Sequence, residues 1–176
     1  RQLRVEEAHS DGTRLTCTLN HPVDLDLRDD RARRVLFKAG GDAGEIESIA
    51  DDGRTLIFRD GQRFGPMYTV KPGESIHIRH PSLRVRGPLF TNAELAKIAA
   101  AKAAGFPRYF LSYVEEQRDV DALRELVGKD VEIWLKIETT RGLAFVAREF
   151  VKRDGIVLVA ARGDLYIELP QPHDIV

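Results

Sequence analysis

The hydrophobic pattern of this 176-residue chain changes its period near Gly87-Pro88, and that change calls for two different kinds of sheet. Before it, short apolar runs are separated by turn signals at Asp11-Gly12, Gly40-Gly41, Asp52-Gly53, Asp60-Gly61 and Pro72-Gly73. The spacing predicts strands over Leu15 to Leu19, Arg34 to Lys38, Thr55 to Phe58, Tyr68 to Val70 and Ser75 to Arg79. Several alternate apolar with polar residues, as half-buried antiparallel strands do. Closely spaced strands with tight turns predict a small all-β, barrel-like domain over residues 1–86. The charge-rich stretch Asp24 to Arg34 reads as solvated loop or strand edge.

After the boundary, Thr91-Asn92-Ala93-Glu94 supplies the hydroxyl and glutamate of a capping box. It predicts a helix over Ala93 to Ala104 with Gly105 as its C-cap. Then follow an apolar strand, Tyr109 to Val114, a helix, Asp119 to Val127, and a strand, Ile133 to Ile137. A helix over Leu143 to Lys152 and a strand over Ile156 to Ala160 complete the pattern. Alternating helices and near-continuous apolar strands predict about three βα units of a parallel sheet over residues 87–176.

A net charge of -1 offers no basic surface for nucleic acid and no membrane-binding face. No apolar run is long enough to span a bilayer, and Arg1 to Glu7 is charged, unlike a secretory leader. The single cysteine, Cys17, excludes an intrachain disulfide and an all-cysteine metal site, and it fits a reducing cytoplasm. His9, His21, His77, His80 and His173 lack the spaced pair of a helical zinc site and read as surface or loop residues.

The polar groups of the second region sit where a parallel barrel keeps its chemistry, at the carboxyl ends of strands. These are Ser112, then Lys136-Ile137-Glu138, then Arg162-Gly163-Asp164. Lys136 and Glu138 are two apart, so a strand points both to one side. A buried ammonium and carboxylate cost free energy unless they serve each other or a ligand. Neighbouring strands would bring Lys136, Glu138 and Asp164 together. Two carboxylates suit a hard cation such as Mg²⁺, and the ammonium would stabilise a transferring phosphoryl group or an enolate. The competing reading of Lys136 and Glu138 is a structural ion pair. Arg162-Gly163-Asp164 also spells an adhesion tripeptide, but it follows a buried-type strand rather than sitting in an exposed loop. Asp51-Asp52-Gly53 lacks the spaced acids of a calcium loop and reads as a turn. Trp134 is expected to pack between sheet and helices.

These motifs carry a family resemblance. Phe110-Leu111-Ser112-Tyr113-Val114 followed by Asp119-Val120 is similar to the Leu-Ser-Phe-Val and Asp-Val pattern of pyruvate kinases. Lys136-Ile137-Glu138 with Gly142 resembles their Lys-Ile-Glu motif and its later glycine. Ala161-Arg162-Gly163-Asp164-Leu165 with Glu168 and Pro170 resembles their Ala-Arg-Gly-Asp-Leu-Gly-x-Glu-x-Pro signature. The departures are Thr139, Thr140 and Arg141, where the family has Asn, His and Glu, and Tyr166 in place of a glycine.

The resemblance implies a β-rich lid domain over residues 1–86 and part of a (β/α)₈ barrel over residues 87–176. It implies phosphoryl transfer between phosphoenolpyruvate and ADP in glycolysis, with Mg²⁺ and K⁺ as cofactors, and it allows a homo-oligomer. By position, Lys136 becomes the catalytic lysine, Glu138 and Asp164 the metal ligands, and the backbone of Ala161, Arg162 and Gly163 the seat of the substrate carboxylate, with Ser112 in support. The family's arginine, potassium-site residues, nucleotide site and substrate threonine have no counterpart, so the chain is expected to be part of a larger polypeptide. Two alternatives stay open. One is a metal-dependent aldolase or lyase acting on a pyruvate-type enolate, which would need no ADP. The other is a diverged relative without catalysis.

Overall fold

The computed structural model describes residues 1–59 and 70–169. The turn expected at Asp60-Gly61, most of the strand expected at Tyr68 to Val70, Pro170 and His173 lie outside the described residues. The chain is mixed α/β and divides into two compact units, Gln2–Gly87 and Pro88–Val176.

The first unit holds β1 (Leu3–Ser10), β2 (Arg14–Leu19), β3 (Val23–Asp24), β4 (Arg34–Phe37), β5 (Asp42–Ala50), β6 (Thr55–Arg59), β7 (Ser75–Ile76) and β8 (Arg84–Val85). Among the described residues, six of these strands form one antiparallel sheet in the order β4-β5-β6-β2-β1-β7. Leu36 on β4 and His77 just after β7 exchange both backbone hydrogen bonds, at 2.9 and 3.0 Å. The ends of the sheet therefore meet, and the barrel is nearly closed. Closure satisfies strand edges that would otherwise invite pairing with another chain. Alternation does the rest: Leu15, Cys17 and Leu19 of β2 point inward and meet Val35, Phe37, Ile46, Leu56 and Phe58. Phe37 and Phe58 pack edge to face at 5.5 Å.

Two long strands escaped the sequence reading. β1 and β5 each carry a register shift, at Val5/Glu7 and Ile46/Ser48. A bulge inserts a residue and interrupts the two-residue period. The strand expected over Ser75 to Arg79 is shorter, Ser75–Ile76, with His77 adding a single bridge to Leu36. The stretch Asp24 to Arg34 is not wholly solvated, because a short 3-10 turn, Asp30–Arg33, buries Ala32 completely. His21 and His77 are buried rather than on the surface. His77 is carried inside by the backbone pairing that closes the sheet.

The second unit runs α1 (Asn92–Ala103), β9 (Arg108–Leu111), α2 (Gln117–Val127), β10 (Glu132–Ile137), α3 (Thr140–Arg148), β11 (Ile156–Ala160) and α4 (Arg162–Glu168). The strands form a parallel sheet in the order β11-β10-β9. Thr91 and Glu94 make the expected capping box. The C-cap of α1 is Ala104; Gly105 follows it at φ 73°. α2 starts earlier than expected because Glu116 is its N-cap and Asp119 accepts the backbone N–H groups of Glu115 and Glu116. α3 also starts earlier, at Thr140, since the Thr139 hydroxyl accepts the Gly142 N–H at 3.0 Å. It ends at Arg148, short of Lys152.

Ile133, Leu135 and Ile137 of β10 face Val120, Leu123, Val127 and Phe145 on the helix-covered side. Alternation sends Trp134 to the opposite side, so it does not pack between sheet and helices. There it stacks near Phe110 at 5.2 Å, with the Arg108 guanidinium 5.0 Å over its ring. Phe110 on this side is 59% exposed, so among the described residues nothing covers it. Among the described residues, no helix is long and apolar enough to cross a membrane.

Candidate functional site

Three strand ends converge around Tyr113. Ser112 and Tyr113 follow β9, Lys136 and Glu138 stand at the end of β10, and Asp164 lies in the first turn of α4 after β11. Period-two geometry aims Lys136 and Glu138 to one side, and the Lys136 ammonium meets Glu138 Oε1 at 2.5 Å. The same ammonium lies 3.4 Å from Ser112 Oγ. Glu138 Oε2 accepts the Tyr113 backbone N–H at 2.5 Å. The Tyr113 hydroxyl donates to Asp164 Oδ1 at 3.2 Å. Ser112, Lys136, Glu138 and Asp164 are thus linked by hydrogen bonds, with Tyr113 as the bridge to Asp164.

Electrostatics at this site run against stability. Glu138 is 1% exposed. Burial pushes its carboxyl above the usual range, and the nearby Asp164 charge pushes the same way, against the Lys136 ammonium and the Tyr113 N–H. Burial and the Asp164 charge also push the Tyr113 phenol up. Two acids held close, one of them desolvated, repel unless a proton or a cation intervenes.

The fit to a divalent cation can be judged from these groups. Among the described residues no cluster of three or more His, Cys, Asp or Glu side chains is poised for a metal ion. Glu138 and Asp164 supply two carboxylates. That number suits Mg²⁺, which keeps several water or substrate oxygens, and not a closed, all-protein cage.

One sequence expectation is corrected in position. Asp164, with Arg162 and Gly163, does not end the third strand, which stops at Ala160; all three belong to α4. Ala161 is the N-cap of α4, and its own N–H is taken by the Ile137 carbonyl at 3.1 Å. The N–H groups of Arg162 and Gly163 lie in the first turn, where a helix has no internal acceptor for them. A Cβ added at Gly163 would meet no atom within 4 Å, so the space above it is open.

A second layer supports the first. The Thr139 hydroxyl donates to Glu115 Oε1 at 2.8 Å, and Arg141 lies 3.9 Å from Glu115 Oε2. Gly142 lets α3 come down onto the end of the sheet: a Cβ there would sit 2.6 Å from the Val114 carbonyl oxygen and 3.2 Å from Ile137 Cγ2. Tyr166, the other departure, is 63% exposed and fills no core. Sequence reasoning missed Tyr113 and Glu115 as parts of the site. The signal available was a phenol directly after Ser112 at a strand end.

The comparisons agree with the motifs. No family model matches the chain. The pyruvate kinase of Thermoplasma acidophilum is 40% identical over 140 residues, covering 78% of this chain and 24% of the relative. That of Debaryomyces hansenii is 31% identical over 161 residues, covering 82% of this chain and 30% of the relative. That of Methanocaldococcus jannaschii is 31% identical over 104 residues, covering 57% and 22%. The chain therefore spans about a quarter of the length of the curated relatives it matches. Aligned with these relatives over most of its length, the chain belongs to the pyruvate kinase family.

Proposed function

We propose that these residues form the centre of a cytoplasmic, Mg²⁺-dependent phosphotransferase that moves a phosphoryl group from phosphoenolpyruvate to ADP, giving pyruvate and ATP. The observation that carries this reading is the Lys136 ammonium against the buried Glu138, with Asp164 linked to the same residue through Tyr113. Lys136, 31% exposed at its side chain, can reach a substrate while remaining paired. Its charge would offset the negative charge of the transferring phosphoryl group and of the enolate left behind. Glu138 and Asp164 would hold the magnesium ion. Bound there, the ion would supply charge neutralisation for the negative charge that develops during transfer. The N–H groups of Arg162 and Gly163 would receive the substrate carboxylate, with Ala161 shaping the turn. Ser112, within reach of the lysine, would hold its ammonium in place. K⁺ enters through the family alone.

In this reading residues 87–176 are βα units of a (β/α)₈ barrel whose inner face carries Phe110, Trp134 and Lys136, and residues 1–86 are a lid. The exposed Phe110 on that face supports the barrel assignment, since a closed barrel would cover it. The test is Lys136→Ala in the full-length polypeptide, assayed for pyruvate formation from phosphoenolpyruvate with ADP and Mg²⁺. Turnover should fall by about 10²- to 10³-fold, as expected when a charge-stabilising group is lost, with the melting transition unchanged. Activity like that of the parent would refute the assignment. Turnover of a pyruvate-type substrate without ADP would favour an aldolase or lyase instead.

A further inference from the structure

We propose that Tyr113 is a positioning residue: it sets the spacing and orientation of the two carboxylates, so that its hydroxyl tunes the site's grip on a divalent cation. This rests on the reading of Glu138 and Asp164 as cation ligands. Three observations meet at the one residue. Its backbone N–H binds Glu138 Oε2 at 2.5 Å, and its hydroxyl binds Asp164 Oδ1 at 3.2 Å. Its side chain is buried. Its φ of 55° lies in the left-handed region, where a bulky residue pays a steric cost. Strain of this kind persists only where surrounding contacts hold it, and it gathers at sites of function.

The geometry explains what the strain achieves. The left-handed turn directs the N–H of Tyr113 toward β10 while the ring reaches across to α4. The backbone joins the two elements through the Ala161 N–H on the Ile137 carbonyl; Tyr113 adds a bond to each carboxylate and so fixes how the two acids stand to one another. The phenol occupies one oxygen of Asp164 and leaves Oδ2 for a cation. Outer partners that orient a ligating carboxylate change metal affinity by about 10- to 100-fold when removed.

The experiment uses Mn²⁺ as probe, titrated calorimetrically and by electron paramagnetic resonance into the full chain, its Tyr113→Phe variant and its Glu138→Gln variant. Tyr113→Phe keeps the ring and removes only the hydroxyl. Its expected result is Mn²⁺ affinity lowered about 10-fold, an altered zero-field splitting of the bound ion and an unchanged melting temperature. Parental affinity and spectrum in Tyr113→Phe, with affinity lost in Glu138→Gln, would overturn the positioning role and leave the cation site standing. A loss matched by a lowered melting temperature would show a packing role and overturn it too. Equal Mn²⁺ binding by the parent and Glu138→Gln, or none by either, would overturn the cation reading and this inference together.

Discussion

The two units of the chain differ in whether they take an acid out of water. In the β unit the acids are at the surface and are held by donors: Asp11 is pushed down to about 2, first by the Arg14 backbone N–H, and Asp26 to about 2, first by the Arg28 guanidinium. In the parallel unit the surface Glu132 is likewise held down, first by the Arg108 guanidinium, but Glu138 is buried and pushed up, with a second acid near it. The surfaces differ as well. The antiparallel sheet closes on itself over Phe37 and Phe58, both fully buried, whereas the parallel sheet leaves Phe110 mostly exposed. One unit is arranged for its own stability. The other spends stability on a desolvated carboxylate, and groups perturbed by desolvation plus a specific charge partner concentrate at functional sites.

The largest expected effect tests whether the β unit owns a separate core. Phe58→Ala should cost that unit about 3–5 kcal/mol, read by circular dichroism in guanidinium chloride. Trp134, the sole tryptophan, reports on the parallel unit. Its fluorescence transition should stay in place, and a matching shift would break the division into two units. Next in size is Gly142→Ala. The added methyl would press on the Val114 carbonyl and displace the start of α3. A loss of about 2 kcal/mol in the Trp134 transition is expected; no loss would show that α3 is not seated as described.

A smaller change of opposite sign sharpens the contrast. Glu138→Gln removes the desolvated charge and its repulsion with Asp164. Lys136 is partly exposed and can turn to water. The parallel unit should gain about 1 kcal/mol, visible as a raised midpoint in the Trp134 fluorescence transition. A clear loss would mark the ion pair as structural. The smallest effect is the pH slope. Asp11 and Asp26 are depressed in the folded state, so their contribution is present above the usual value of 3.8 and is lost as pH falls toward 2. Glu138 is raised, so the folded parallel unit holds its proton more tightly than the unfolded chain does. Its stability is greatest below the usual value of 4.5 and declines as pH rises through the folded value. Glu132 of the same unit is held down first by the Arg108 guanidinium and adds a rising component; the falling component should therefore disappear from the parallel unit's midpoint in Glu138→Gln, and a pH profile unchanged by that substitution would count against the contrast.

Much of the parallel unit was legible in advance. β11 spans Ile156–Ala160 as its apolar run predicts, and Thr91 with Glu94 caps α1 as their spacing predicts. Apolar runs bounded by caps are local signals, and local signals survive folding. β1 and β5 were not legible, because their bulges break the alternation that marks a strand. α4 was hidden by Gly163, a poor helix former, so Asp164 was expected on a strand end although it stands on a helix. The lysine and carboxylate of the site were legible from period two alone. The link from Tyr113 to Asp164 was not, since the two are separated by 51 positions.

The sequence by itself determined the two grammars of sheet, the order of the three strand-end motifs and the family to which they belong, since each depends on residues near one another along the chain. The tertiary structure alone decided that the antiparallel sheet closes through Leu36 and His77, that Trp134 turns away from the helices and that Glu138 is desolvated beside a second acid. Those outcomes depend on which surfaces meet and which lose water. That is a property of packed elements, and no window of sequence contains it.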